Sequence, residues 1–126
     1  MKIIITTMAP QLDSELDPRF GRGAYFLSID PQTLDWQAYP SPGIAASGGA
    51  GIQAAQFVAG QKVDAVVSGD FGPHAFTVLQ AAHISLYLFG DCRSAHDVIA
   101  RYKAGQLEQA GAATRSGYHA GGSAQA

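Results

Sequence analysis

Three consecutive isoleucines, Ile3-Ile4-Ile5, predict a short buried strand close to the start of the chain. A polar stretch through Pro10, Asp13, Asp17 and Pro18 separates it from Tyr25–Ile29, a β-branched and aromatic run that predicts a second strand. Asp30-Pro31-Gln32-Thr33 supplies turn chemistry. Beyond it, Leu34, Trp36 and Ala38 alternate with Asp35, Gln37 and Tyr39, the period of two expected of a strand with one buried face. The second and third strands therefore read as a hairpin.

After Pro40 the period changes. A Pro/Ser/Gly-rich loop leads to Gly51-Ile52, where Ile52, Ala55, Val58 and Ala59 recur at helical spacing until Gly60. Val63–Val67 predicts a buried strand, and Gly72-Pro73 puts proline in the first turn of a second helix, where it is tolerated. Phe76, Leu79 and Ala82 form that helix's apolar stripe, and Ile84–Phe89 predicts the next strand. Ser94 with Asp97 resembles a capping box, opening a third helix lined by Ala95, Val98, Ile99 and Tyr102 up to Gly105. The predicted organisation is one domain over residues 1–108 and a flexible Gly/Ala/Ser-rich tail over 109–126.

The order β-β-β-α-β-α-β-α is an antiparallel hairpin feeding two right-handed crossover units. It predicts an α/β, ribonuclease-H-like three-layer fold: a mixed five-stranded sheet of order 3-2-1-4-5 flanked by helices. In this topology the loops 8–23, 40–50, 68–73 and 90–93 meet at one edge of the sheet. That edge, outside the carboxyl ends of the parallel strands, is where open α/β sheets bind ligands.

Composition narrows what such a site is for. With 126 residues the chain suits one proper core, and a net charge of −2 provides no general basic field for nucleic acid or an anionic membrane. Binding has to come from a local site. The apolar run at the start is too short for a signal peptide or membrane span, and the lone Cys92 forms no internal disulfide, so a reducing cytoplasm is the expected location.

The first loop at the expected edge holds Asp17-Pro18-Arg19-Phe20-Gly21-Arg22. Arg19 and Arg22 offer planar donor forks suited to anions, or Arg19 pairs with Asp17 or Asp13 to hold the loop closed. The second, Ser47-Gly48-Gly49-Ala50-Gly51, opens a helix whose unpaired N–H groups make an anion cradle, unless the glycines serve simple flexibility. The third, Ser68-Gly69-Asp70-Phe71-Gly72-Pro73-His74, repeats the arrangement with an imidazole in the first turn. His74 is either a metal ligand or an exposed residue at a helix start. Cys92 falls on the same edge as a soft thiolate or a small buried hydrophobe. His83 belongs at the opposite edge, His96 is undecided, and His119 lies in the tail.

Several chemistries are excluded or weakened. There is no Cys-x-x-Cys pair for a four-cysteine metal centre, no Gly-Lys-Ser/Thr for a P-loop, and no Asp or Glu in the first strand for a two-metal nuclease. Gly49-Ala50-Gly51-Ile52-Gln53-Ala54 fits G-x-G-x-x-A with Asp70 downstream, but the preceding strand belongs to a hairpin, which is poor context for a dinucleotide site. No nucleophile, base and orienting partner come together on the edge, so an enzyme is not expected.

Taken in order, Asp17-Pro18-Arg19-Phe20-Gly21-Arg22, Gly49-Ala50-Gly51-Ile52-Gln53-Ala54-Ala55, Val63-Asp64-Ala65-Val66-Val67 and Gly72-Pro73-His74-Ala75-Phe76 resemble the dinitrogenase iron-molybdenum cofactor accessory family. That family takes in NifX-like carriers, the NifB C-terminal domain and orange-protein-like chains. The resemblance covers residues 2 to about 108 and implies non-covalent binding of a metal–sulfide cluster, molybdenum- or iron-containing and with copper as a further option. The role implied is carrier, store or chaperone, with a cofactor-synthesis or acceptor protein as partner. Its matching positions are Arg19, Arg22, Gly49, Ala50, Gly51, Gly72, Pro73 and His74. His74 and Cys92 stand as the candidate metal ligands. The competing reading is a regulatory or partner-binding module without a cluster.

Overall fold

The structure is a computed structural model that describes residues 1–42 and 49–111. Six strands form a single sheet: β1 (Ile3–Thr7), β2 (Tyr25–Ile29), β3 (Trp36–Pro40), β4 (Ala65–Ser68), β5 (Ser85–Leu88) and β6 (Glu108–Gln109). Among the described residues three α-helices flank it: α1 (Ala50–Gly60), α2 (Pro73–Ala81) and α3 (Ala95–Lys103). The sheet order is β3-β2-β1-β4-β5-β6. Strands β1, β4 and β5 run parallel, while β2 opposes β1 and β3, and β6 opposes β5. This is the expected ribonuclease-H-like arrangement with one strand added.

The added strand crosses the boundary drawn at residue 108. Gln109 pairs with Tyr87, the Ala110 N–H donates to the Leu86 carbonyl at 2.8 Å, and the Ala110 side chain is buried. Two residues of Glu-Gln carry no period that marks a strand, so only the sheet edge they meet gives them away. The tail beyond Gly111, His119 included, lies outside the described residues.

Because neighbouring residues of a strand point to opposite faces, the buried Ile run feeds two cores. Ile4 joins Phe26, Val66 and Leu86 beneath α1 and α2, with Ala54, Ala55, Val58, Ala75 and Leu79 from the helices. Ile3 and Ile5 join Leu27, Ile29 and Val67 beneath α3, which supplies Ala95, Val98 and Ile99. Helix α2 turns Ala75 and Leu79 inward; Phe76 is only partly buried, and Ala82 is an exposed residue at the helix end.

The third strand departs from the one-buried-face expectation. Leu34 closes the hairpin in the left-handed region at φ 66°, its N–H bonded to the Asp30 carbonyl, and is 46% exposed. Trp36 is 39% exposed. As the outermost strand, β3 is covered only in part: Ala38 touches the α3-side core, while Tyr39 meets the edge of Phe57 on the other face. The Asp30 carboxylate accepts the N–H groups of Gln32 and Thr33, which hold its pKa below the ordinary range and fix the turn.

Candidate functional site

At the carboxyl ends of the parallel strands three loops close round a cleft of about 350 Å³. Arg19, Phe20, Gly21 and Arg22 come from the first, Gly49, Ala50, Gly51 and Ile52 from the start of α1, and Asp70, Gly72, His74 and Ala75 from the start of α2. Of the expected site positions, all but Pro73 and Cys92 line this cleft, and Pro73 is the first residue of α2 beside it. Ser47 and Gly48 lie outside the described residues.

The loops reach one another because glycines leave room. A Cβ on Gly69 would stand 2.6 Å from the Pro18 Cα, and one on Gly21 would stand 3.0 Å from the backbone of Gly51. Arg19 and Asp70 form a parallel backbone bridge at the same junction. Phe20, between the two arginines, is fully buried against Phe26 and Phe71 at centroid distances of 5.4 and 5.5 Å. An apolar anchor flanked by two cations thus pins the loop inward and leaves both cations at the cleft.

Among the described residues neither helix start in the cleft has a side-chain cap. Gly49 (φ 66°) caps α1 and Gly72 caps α2, neither helix has an acid in its first turn, and α2 carries proline there. Their first-turn N–H groups and the positive ends of both dipoles therefore face the lining of the cleft. His74 is exposed in the first turn of α2.

Of the two readings of Arg19, the pairing with Asp17 is present. Its guanidinium is paired with Asp17, Nε to Oδ1 at 3.2 Å, yet the side chain remains 58% exposed at the cleft. The hydrogen bond and charge of Asp17, with the nearby charge of Asp70, raise its pKa further, so it stays cationic at any working pH.

Cys92 does not join this group. It belongs to the core on the α3 face, and burial pushes its thiol pKa up, away from the thiolate form a metal would need. His96 and His83 are exposed outside the cleft, His83 at φ 61° after α2. A larger cavity of about 610 Å³ lies at the opposite edge among Met1, Tyr87, Tyr102 and Leu107. It gathers the end of α3, Lys103 included, and no helix start. Sequence reading offered Asp17 as a partner of Arg19 but not as an acceptor of the Arg19 and Ala24 backbone N–H groups, and it missed Gly21 and Gly69 as contact points. The signal available was an aspartate followed by proline, ahead of an apolar residue between two arginines.

Fold and site together define an α/β domain with a cleft at the switch edge of its sheet, lined by Arg19, Arg22, Asp70, His74 and two helix starts. Residues 1–105 match the family described as dinitrogenase iron-molybdenum cofactor, and the chain belongs to that family. It is similar to the apo form of the orange protein from Desulfovibrio gigas, with 33% identity, 90% of this chain and 96% of that chain covered, and a TM-score of 0.85. A putative NifB protein from Thermotoga is also similar, with 26% identity, 92% and 98% covered, and a TM-score of 0.78. No curated protein matches the chain. Among the described residues no helix is long and apolar enough to cross a membrane.

Proposed function

We propose that the chain binds an anionic metal–sulfide cluster or its precursor in the cleft and passes it on without chemical turnover. The observation that carries this reading is the convergence of Arg19, Arg22 and two uncapped helix starts on one cavity. A cluster anion brings its own sulfide ligands and spreads its charge over them. Guanidinium and backbone N–H donors suit such a surface by charge-assisted hydrogen bonding, without displacing a ligand. Among the described residues His74 is the one imidazole on the cleft lining, and it offers a single metal bond that can be made and broken on transfer. Family membership and the likeness to the orange protein support cluster handling. Molybdenum, iron and copper are the metals proposed, with a cofactor-synthesis or acceptor protein as partner and the cytoplasm as location.

The test is anaerobic mixing with tetrathiomolybdate plus copper or iron, desalting, and a visible absorption spectrum. A coloured band retained in stoichiometric amount, and reduced in Arg19→Gln and His74→Ala, is the expected result. A colourless protein under every loading condition overturns the reading and favours a partner-binding module.

A further inference from the structure

We infer that Asp17 is a positioning residue that aims Arg19 into the cleft, which rests on the cluster-binding reading above. Its carboxylate is fully buried, a placement that costs several kcal/mol unless the charge is matched by donors. Four contacts match it. Oδ1 accepts the Arg19 backbone N–H at 3.0 Å and Arg19 Nε at 3.2 Å, while Oδ2 accepts Arg19 Nη2 at 3.4 Å and the Ala24 N–H at 3.2 Å. The backbone of Asp17 is itself clamped to β1: its N–H donates to the Thr6 carbonyl at 2.9 Å, and the Thr6 hydroxyl donates to its carbonyl at 2.6 Å. The Thr6 and Ser68 hydroxyls are bonded at 2.9 Å, tying this clamp to β4 as well.

The two backbone N–H contacts alone would close the loop. The two guanidinium contacts do something else: they hold a half-exposed, otherwise rotamer-rich side chain by one edge. A guanidinium has five N–H donors, and Asp17 engages two of them. Those on the remaining edge are fixed in direction for a ligand, so less rotamer entropy is lost on binding. Lysine at this position would keep the charge and lose the fork.

The experiment is a double-mutant cycle on the full chain: wild type, Asp17→Asn, Arg19→Gln and the double variant, titrated anaerobically with tetrathiomolybdate. Asp17→Asn is expected to weaken binding about tenfold in the wild-type background, the scale of one lost charge-assisted contact, and by less than about twofold once Arg19 is gone. Equal losses in both backgrounds, or no loss in the first, overturn the inference. Arg19→Lys guards against misfolding of the Asp17 variant. It alters an exposed side chain, and a loss as large as that of Arg19→Gln is expected, whereas wild-type affinity in Arg19→Lys refutes positioning. If wild type binds no tetrathiomolybdate, alone or with copper or iron, the cluster reading fails. The positioning is then read from the Arg19 Nε–H signal in NMR, expected to be slow-exchanging in wild type and fast in Asp17→Asn. A fast signal in wild type refutes it.

Discussion

Three helices begin at the same edge of the sheet, and they begin in two ways. The starts of α1 and α2 are capped by Gly49 and Gly72, with no side-chain acceptor and no acid in the first turn. The start of α3 is closed by its own residues: the Ser94 hydroxyl accepts the Asp97 N–H, and the Asp97 carboxylate accepts the Arg93 N–H. Glu15 also bridges to Ser94 there. Helix α3 is thus stabilised within itself, whereas among the described residues no side chain caps the start of α1 or α2. The difference coincides with the cleft, which touches the two open starts and not the closed one.

The largest effect in this comparison comes from prying the open side apart. Gly69→Ala places a methyl 2.6 Å from the Pro18 Cα, a backbone atom that cannot swing away. The loop with both arginines has to lift off the α2 start. A loss of about 2–3 kcal/mol in stability is expected, or roughly 10 °C in Tm for a domain of this size, together with loss of cluster binding. Gly60→Ala is the control: it meets nothing within 4 Å at the end of α1 and should be neutral or mildly stabilising in a thermal melt.

This division was half legible in the sequence. The hydrophobic pattern located the strands near their observed places, because Ile3-Ile4-Ile5 and Tyr25–Ile29 bury almost every side chain. The pairing of Ser94 with Asp97 revealed the closed start, and the two glycine-rich loops revealed the open ones. What stayed hidden depends on contacts across the chain. Nothing local says that Gly69 faces Pro18, or that Glu108–Gln109 finds an unpaired edge on β5. The alternation from Leu34 to Tyr39 was read as a buried face because period reports which side chains share a side. Whether a layer covers that side is a tertiary fact, and at the sheet's outer edge the cover is incomplete.

A smaller effect comes from exchanging the two kinds of helix start. Ser94→Ala removes the cap of α3 and should cost about 1 kcal/mol in denaturant unfolding while leaving cluster affinity unchanged. Gly72→Asp does the reverse. Gly72 already has extended geometry (φ −69°, ψ 165°), which a residue before proline favours, so an aspartate needs no backbone change there and is placed to accept from the first turn of α2. Stability should rise by about 0.3–1 kcal/mol, and cluster binding should fall because a carboxylate at the helix start repels an anion. If Gly72→Asp binds as well as wild type, the open start of α2 is not part of the site.

The smallest expected effect belongs to Cys92, the thiol that sequence reading placed on this edge. It follows β5 just before α3, with its N–H bonded to the Phe89 carbonyl at 3.0 Å, and its side chain packs on the closed face of the sheet. Burial favours the neutral thiol in the folded protein. An unfolded cysteine loses its proton near pH ~8.5, so the contribution of this group to stability is fully present below that pH. It is lost as pH rises through the higher folded value. Native protein should therefore alkylate with iodoacetamide far more slowly than denatured protein at the same pH. Cys92→Ala should retain the cluster within about twofold of wild type, since this thiol is not on the cleft lining and packs in the α3-side core. Were Cys92→Ala to lose its coloured band while melting normally, a ligand from the closed face would be reaching the cluster, and the contrast between open and closed helix starts would no longer mark where the cargo sits.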